Sequence, residues 1–234
     1  MNGEIGPTGP LNGHDARLDP PSLVQMAASE IRNMILSGQL GPGERLLEER
    51  LTEYLGISRP PLREALRLLE HERLIVTQPR RGSTVATLTD QDVYEILTLR
   101  KALERMAVEL GVPVRYPERL EACWDALAEM EKSAAAQDRA SLVQNGYRFH
   151  AAIVALARHS RLEEIYASVH QQLLLCMARN LHARERHYED LAHHVNRHRH
   201  LLELIASGDQ EAVLSELAVH GEQSFVGGET SPSA

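Results

Sequence analysis

Between Arg59 and His71 one helical segment carries two different faces. Leu62, Ala65, Leu66 and Leu69 recur at i, i+3, i+4 and i+7, the spacing of a buried stripe. Arg59, Arg63 and Arg67 recur at i, i+4 and i+8 on another face, so burying the first set leaves the second directed outward. The flanks narrow the choice of fold further. Upstream, Leu47 to Leu55 reads as a short helix and Gly56-Ile57-Ser58 as a tight turn. Downstream, two β-rich runs, Leu74 to Thr77 and Thr84 to Thr87, are joined by Gln78-Pro79-Arg80-Arg81-Gly82-Ser83, a basic hairpin tip. A first helix is expected from Ser22, after Pro20-Pro21, to Ser37-Gly38, with Leu23, Met26, Ala27, Ile31, Met34 and Ile35 at helical spacing. Three helices followed by a basic hairpin predict a winged helix-turn-helix.

From Thr89 onward the pattern is helical throughout. Thr89 with Asp92 forms a capping-box signature. Helices are expected near 90–110, 117–136, 138–158, 161–182, 184–207 and 209–224, with breaks at Gly111, Pro113, Pro117 and Gly208-Asp209. The fold class is therefore mainly α: an N-terminal winged helix-turn-helix and a C-terminal all-α helical bundle. The expected divisions are a disordered arm at 1–20, the winged domain at 21–88, the helical domain at 89–226 and a loose tail at 227–234.

Charge distribution supports contact with a polyanion. The chain carries a net charge of −8, yet Ser58 to Arg81 holds six arginines against three glutamates, a net of +3. Thr89 to Ala234 has 15 basic and 22 acidic residues, a net of −7. A small basic patch on an acidic body suits a protein that touches DNA with one face. Guanidinium groups in a row fit phosphate oxygens and the O6/N7 edge of guanine. Arg80 and Arg81 at the wing tip would reach an adjacent groove or backbone, and Gly82 would permit close approach. No apolar run approaches membrane-spanning length, the first 20 residues lack an apolar leader core, and Cys123 and Cys176 lack paired spacing. These features predict a cytoplasmic chain with no membrane contact and no disulfide.

The stretches Gly38-Gln-Leu-Gly-Pro-Gly-Glu-Arg-Leu46 and Leu55-Gly-Ile-Ser-Arg-Pro-Pro-Leu-Arg-Glu-Ala-Leu-Arg-Leu-Leu-Glu70, continuing through Arg81-Gly82, resemble the signature of the GntR family of regulators. The resemblance implies that Ser58, Arg59, Arg63, Arg81 and Gly82 occupy DNA-contacting positions. Arg67 and Arg80 join them by their placement on the same helix face and wing. The family usually has Thr where this chain has Pro60. Pro60 and Pro61 have no N–H for a Ser58 cap. Either Arg59 caps a helix starting at Pro60, or the Ser58 hydroxyl is left for a phosphate.

In the helical domain, Arg100 shares a face with Val93, Ile96, Leu103 and Ala107. A guanidinium there needs a partner: an internal glutamate, or the carboxylate of a ligand. His150 lies with Ile153 and Ala157, His198 with Leu201, Leu202 and Ile205, and His220 with Val213 and Leu217. Three inward histidines are either satisfied core groups or metal ligands. Leu99-Arg-Lys-Ala-Leu-Glu104, Phe149-His150, and His198 through Gly208-Asp209 to His220 resemble the FadR-type, FCD-domain branch of the family. That resemblance implies a divalent metal, zinc or nickel, held by an Asp and three His, with arginines capturing an organic acid. The histidines match His150, His198 and His220; the Asp position is Gly146. Water, His194, or loss of the metal are the possible consequences. Arg179 is a second candidate for the effector carboxylate. The expected function is a ligand-responsive regulator, a repressor released from a palindromic operator by a small carboxylate metabolite and acting as a homodimer. A metal-dependent helical enzyme is the competing class. It lacks a carboxylate base at position 146, a nucleophile motif and a glycine-rich phosphate loop.

Overall fold

A computed structural model describes residues 22–187 and 190–220 of the 234-residue chain. The predicted arm and tail lie outside the described residues. In chain order the elements are α1 (Leu23–Leu36), β1 (Arg45–Leu46), α2 (Glu48–Leu55), α3 (Arg59–His71), β2 (Ile75–Gln78), β3 (Gly82–Val85), α4 (Asp90–Gly111), α5 (Pro117–Ala135), α6 (Arg139–Ala155), α7 (Ser160–Ser168), α8 (His170–His187), α9 (Leu191–Ser207) and α10 (Gln210–Val219). The molecule is mainly α, a winged helix-turn-helix joined to an all-helical domain.

Local chemistry sets the helix ends. Ser22 and Gln25 form a reciprocal capping box at α1, as Thr89 and Asp92 do at α4. Helix α2 stops at Gly56, whose φ of 63° is left-handed and inexpensive for glycine. Ser58 is the N-cap of α3, and its side chain makes no capping bond, as the two prolines dictate. The sheet has the order β1-β3-β2 and is antiparallel throughout. Strand β1 was not expected from sequence; Arg45 and Leu46 pair with Thr84 and Ser83. The wing strands differ slightly from expectation, running 75–78 and 82–85, because Gln78 pairs with Gly82 across a tighter tip.

The expected helix at 161–182 is two helices. Helix α7 ends at Ser168, whose hydroxyl donates to the Ile165 carbonyl, and α8 continues to His187. The next helix starts later than expected, at Leu191, because the Asp190 side chain accepts from the His193 N–H.

Two hydrophobic cores interlock. Ile31, Leu62, Leu69, Leu74, Ile75 and Val85 form the winged core, and Leu175 of α8 is buried among them. Val108, Leu127, Met130, Leu142, Phe149, Ile153 and Leu201 belong to the helical core, which in turn takes in Leu36 of α1. Burying such a leucine contributes about 1.5–3 kcal/mol. The Gln144 side chain also donates to Asn33 Oδ1 at 3.0 Å, linking α6 to α1.

Gly111 is more than a break. It is the buried last residue of α4, and a Cβ built on it would lie 2.7 Å from the backbone carbonyl carbon of Leu156. Backbone cannot yield as a side-chain tip can. Gly111→Ala is expected to destabilise the fold by about 1–3 kcal/mol, measured as a lower midpoint in chemical denaturation.

Candidate functional site: a basic helix-and-wing surface and a buried histidine cavity

The first surface is carried by α3 and the wing. The apolar stripe of α3 is buried at Leu62, Ala65, Leu66 and Leu69, which leaves Arg59, Arg63 and Arg67 exposed. Arg63 meets Glu48 at 3.1 Å and Arg67 meets Glu64, with arginine side chains 59% and 72% exposed. Exposed pairs of this kind are worth about 0–1 kcal/mol, so a phosphate can replace the carboxylate at little cost. Ser58, Arg80, Arg81 and Gly82 are also exposed. Gly82 has φ 84° and Arg80 has φ 64°. Sequence reading missed Arg45, which β1 brings beside Gly82: a Cβ there would lie 3.8 Å from Arg45 Nε. The signal for a two-residue strand is too short to read from pattern alone.

The second site lies inside the helical domain. His150 from α6, His198 from α9 and His220 just past α10 are all buried, and one ring nitrogen from each falls within 4.8 Å of the others. The ring centroids are 4.7–5.4 Å apart. Neighbouring acceptors orient the rings. His198 Nδ1 is 2.8 Å from the His194 carbonyl oxygen and so carries the proton, which leaves Nε2 as a lone-pair donor. His150 Nδ1 lies 3.2 Å from Glu104 Oε1, within ion-pair reach but off the hydrogen-bonding line, and His220 Nδ1 lies 3.7 Å from Glu216 Oε1.

Burial sets the charge of this cluster. Burial, and then Arg100, push His150 down to about 4 against the pull of Glu104. Burial with His194, His220 and His150 pushes His198 well below the usual histidine value, and burial lowers His220 against Glu216. At neutral pH all three are neutral imidazoles, the state a metal ligand needs.

Arg100 has an internal partner. Its Nε donates to Glu104 Oε1 at 2.7 Å, and the Tyr166 hydroxyl donates to the same oxygen at 2.8 Å. The pair is almost solvent-free, at 12% and 5% side-chain exposure. Burial opposes the charge on Glu104, but Arg100 and His150 outweigh it and hold the carboxyl well below the usual range. Arg100 nonetheless lines the cavity together with the three histidines, Arg197 and His194. Glu104 and Arg197 were missed as site residues. The i,i+4 spacing of Arg100 and Glu104 on an apolar face was the readable signal for the first.

One candidate lies elsewhere. Arg179 is not brought to the histidines: it donates to the Leu88 carbonyl at 3.1 Å and to Asp90 at 2.7 Å, on the opposite side of α8. His194 lines the cavity, but the converging ligand atoms are those of the other three histidines, and Arg197 lies 3.3 Å from its Nδ1. At position 146, a Cβ would meet Met177 Cε at 2.9 Å, so the thioether of Met177 fills that side. Asn145 points away, donating to Ser133 Oγ and the Glu129 carbonyl. The three neutral, oriented and buried imidazoles fit a divalent cation. Both cysteines are free and buried, with thiols pushed up to about 12 by burial, and take no part.

An exposed recognition helix and basic wing, fastened to a helical domain with an internal polar cavity, define a DNA-binding transcription regulator. The chain belongs to the gntR family of bacterial regulatory proteins, which matches residues 23–85, with an FCD domain matching residues 95–223. It is a regulator by family, not an enzyme. It is 29% identical over 208 residues to the HTH-type transcriptional regulator YdhC of Bacillus subtilis, covering 88% of this chain and 91% of that protein. It is 27% identical to the gluconate operon transcriptional repressor of Bacillus licheniformis, covering 81% and 78%. A GntR regulator from Rhodococcus sp. RHA1 shares the fold with a TM-score of 0.67 and 26% identity, over 86% of this chain and 94% of that one. Among the described residues no helix is long and apolar enough to cross a membrane.

Removing one member of a buried ion pair strands the other. Glu104→Ala is expected to cost about 3–5 kcal/mol of folding stability, whereas Arg63→Ala should stay within about 0.5 kcal/mol. Parallel urea titrations of both variants test the contrast.

Proposed function

We propose that the protein is a repressor that binds a palindromic operator as a homodimer and lets go when a small organic acid enters the histidine cavity. The observation that carries this reading is the position of α8. Leu175 and Arg179, one turn apart, face the winged domain: Leu175 sits in its core and Arg179 ties to Leu88 and Asp90 at the junction. Met177, about 200° round the helix from Leu175, lines the histidine cavity. One helix thus separates the cavity from the DNA-binding domain. A ligand that prefers one placement of α8 changes how the recognition helix is held, and only such differential binding has a regulatory effect. The similarity to the gluconate operon repressor favours the repressing sign.

A divalent cation, zinc or nickel, would be held by His150, His198 and His220. When bound it would supply a positive centre that attracts a carboxylate. Arg100, already neutralised by Glu104, would add orientation more than charge. A pair of winged domains is needed because one domain covers a half-site and makes too few contacts for ordinary operator affinity.

Arg63→Ala should abolish operator binding in a gel-shift assay while leaving the thermal unfolding midpoint unchanged; retained affinity would overturn the assignment of α3. Elemental analysis of protein purified without a polyhistidine tag should find about one zinc or nickel per chain, and a His198→Ala variant should lose it. If wild-type protein carries no metal and gains no thermal stability from added zinc or nickel, the metal part of the reading fails.

A further inference from the structure

Gly146 lies one turn before His150 on α6 and presents no side chain to the cavity. The space over it is taken by Met177 of α8: a Cβ on residue 146 would lie 2.9 Å from Met177 Cε and 3.7 Å from Met130 Cε. The room left beside the histidines for water-sized molecules is about 30 Å³. One water needs at least about 10–15 Å³ by this kind of measure. With Met177 in this position the space beside the histidines is too small for a sugar acid or a tricarboxylate.

We propose that Met177 is the residue that sets the size of acid the histidine cavity admits, and that a larger acid enters by displacing it from Gly146. This rests on the cavity being the effector site. Methionine suits the role because its unbranched chain turns about three bonds and repacks in irregular space at low cost. The wall behind it is a glycine, so residue 146 itself has no side chain to hold the volume when Met177 leaves, and Met130 borders it only at ordinary contact distance. Its movement has a direct neighbour to act on. Leu175, two residues earlier on the same helix, is anchored in the winged core, so a ligand that pushes Met177 outward strains α8 where it joins the DNA-binding domain.

The experiment uses the full chain, in zinc-loaded and metal-free forms, titrated calorimetrically with acetate and with citrate. Wild type should bind acetate in clear preference. Met177→Ala should raise the ratio of citrate to acetate affinity by about tenfold or more, and the milder Met177→Val should raise it by a smaller factor, which keeps the test open if the alanine variant does not fold. A ratio unchanged from wild type in the folded variants, in both forms, overturns the proposal. A His150→Ala control separates this failure from that of the effector reading. If His150→Ala abolishes binding of both acids while the Met177 variants leave the ratio unchanged, the cavity is the effector site and Met177 is not its gate. If no chain binds either acid, or His150→Ala changes nothing, both readings fall.

Discussion

A buried carboxylate organises the helical domain. Glu104 comes from α4 and receives Arg100 from the same helix, Tyr166 from α7 and the edge of His150 from α6. A lone charge at this depth would not remain ionised or in place, so each partner is required by the others. The consequence for the site is positional. With Glu104 fixed beside its Nδ1, the His150 ring is held where a ring nitrogen of each of His198 and His220 converges with one of its own. Arg100, a sequence candidate for a ligand carboxylate, is already occupied by an internal one. What the cavity offers a ligand is thus three neutral imidazoles, with Arg197 rather than Arg100 as the lining cation not matched by Glu104.

The two halves of the molecule are bound by exchange of apolar side chains. Leu36 leaves the winged domain for the helical core, and Leu175 makes the opposite journey. Neither core is complete without the other's contribution. Displacing α8 therefore changes the packing of both, in a close-packed interior that transmits strain poorly absorbed by side-chain adjustment. Such packing couples the helical core to the recognition helix through α8, the coupling that the proposed ligand response relies on.

At the DNA-binding surface the logic is the reverse. The pairs Arg63–Glu48 and Arg67–Glu64 are solvent-exposed and weak, so they do not commit the guanidinium groups. The Ser58 hydroxyl is likewise released from capping by Pro60 and Pro61, which sit where backbone donors would be. The strong, buried ion pair thus lies in the helical domain, and the pairs on α3 are weak and solvent-exposed.

The winged domain was legible almost residue by residue: α1, α2 and α3 lie where the apolar spacing, the capping serine and Gly56 put them, because those signals are local. The two-residue β1 was not, since its pairing with β3 depends on a loop folding back. Nor was the end of α7 at Ser168, which has no glycine or proline to mark it. In the helical domain the inward faces of His150, His198 and His220 followed from helical periodicity, and Gly146 stood out as a missing side chain. Periodicity says which way a side chain points within its own helix, but not which helix stands opposite. So the sequence by itself determined the composition of the two faces, an arginine row and three buried histidines. Tertiary packing alone decided that Tyr166 of α7 donates to Glu104, that Arg179 turns toward Asp90, and that Met177 fills the space over Gly146. Those outcomes depend on distances between segments far apart in the chain, and no local pattern encodes them.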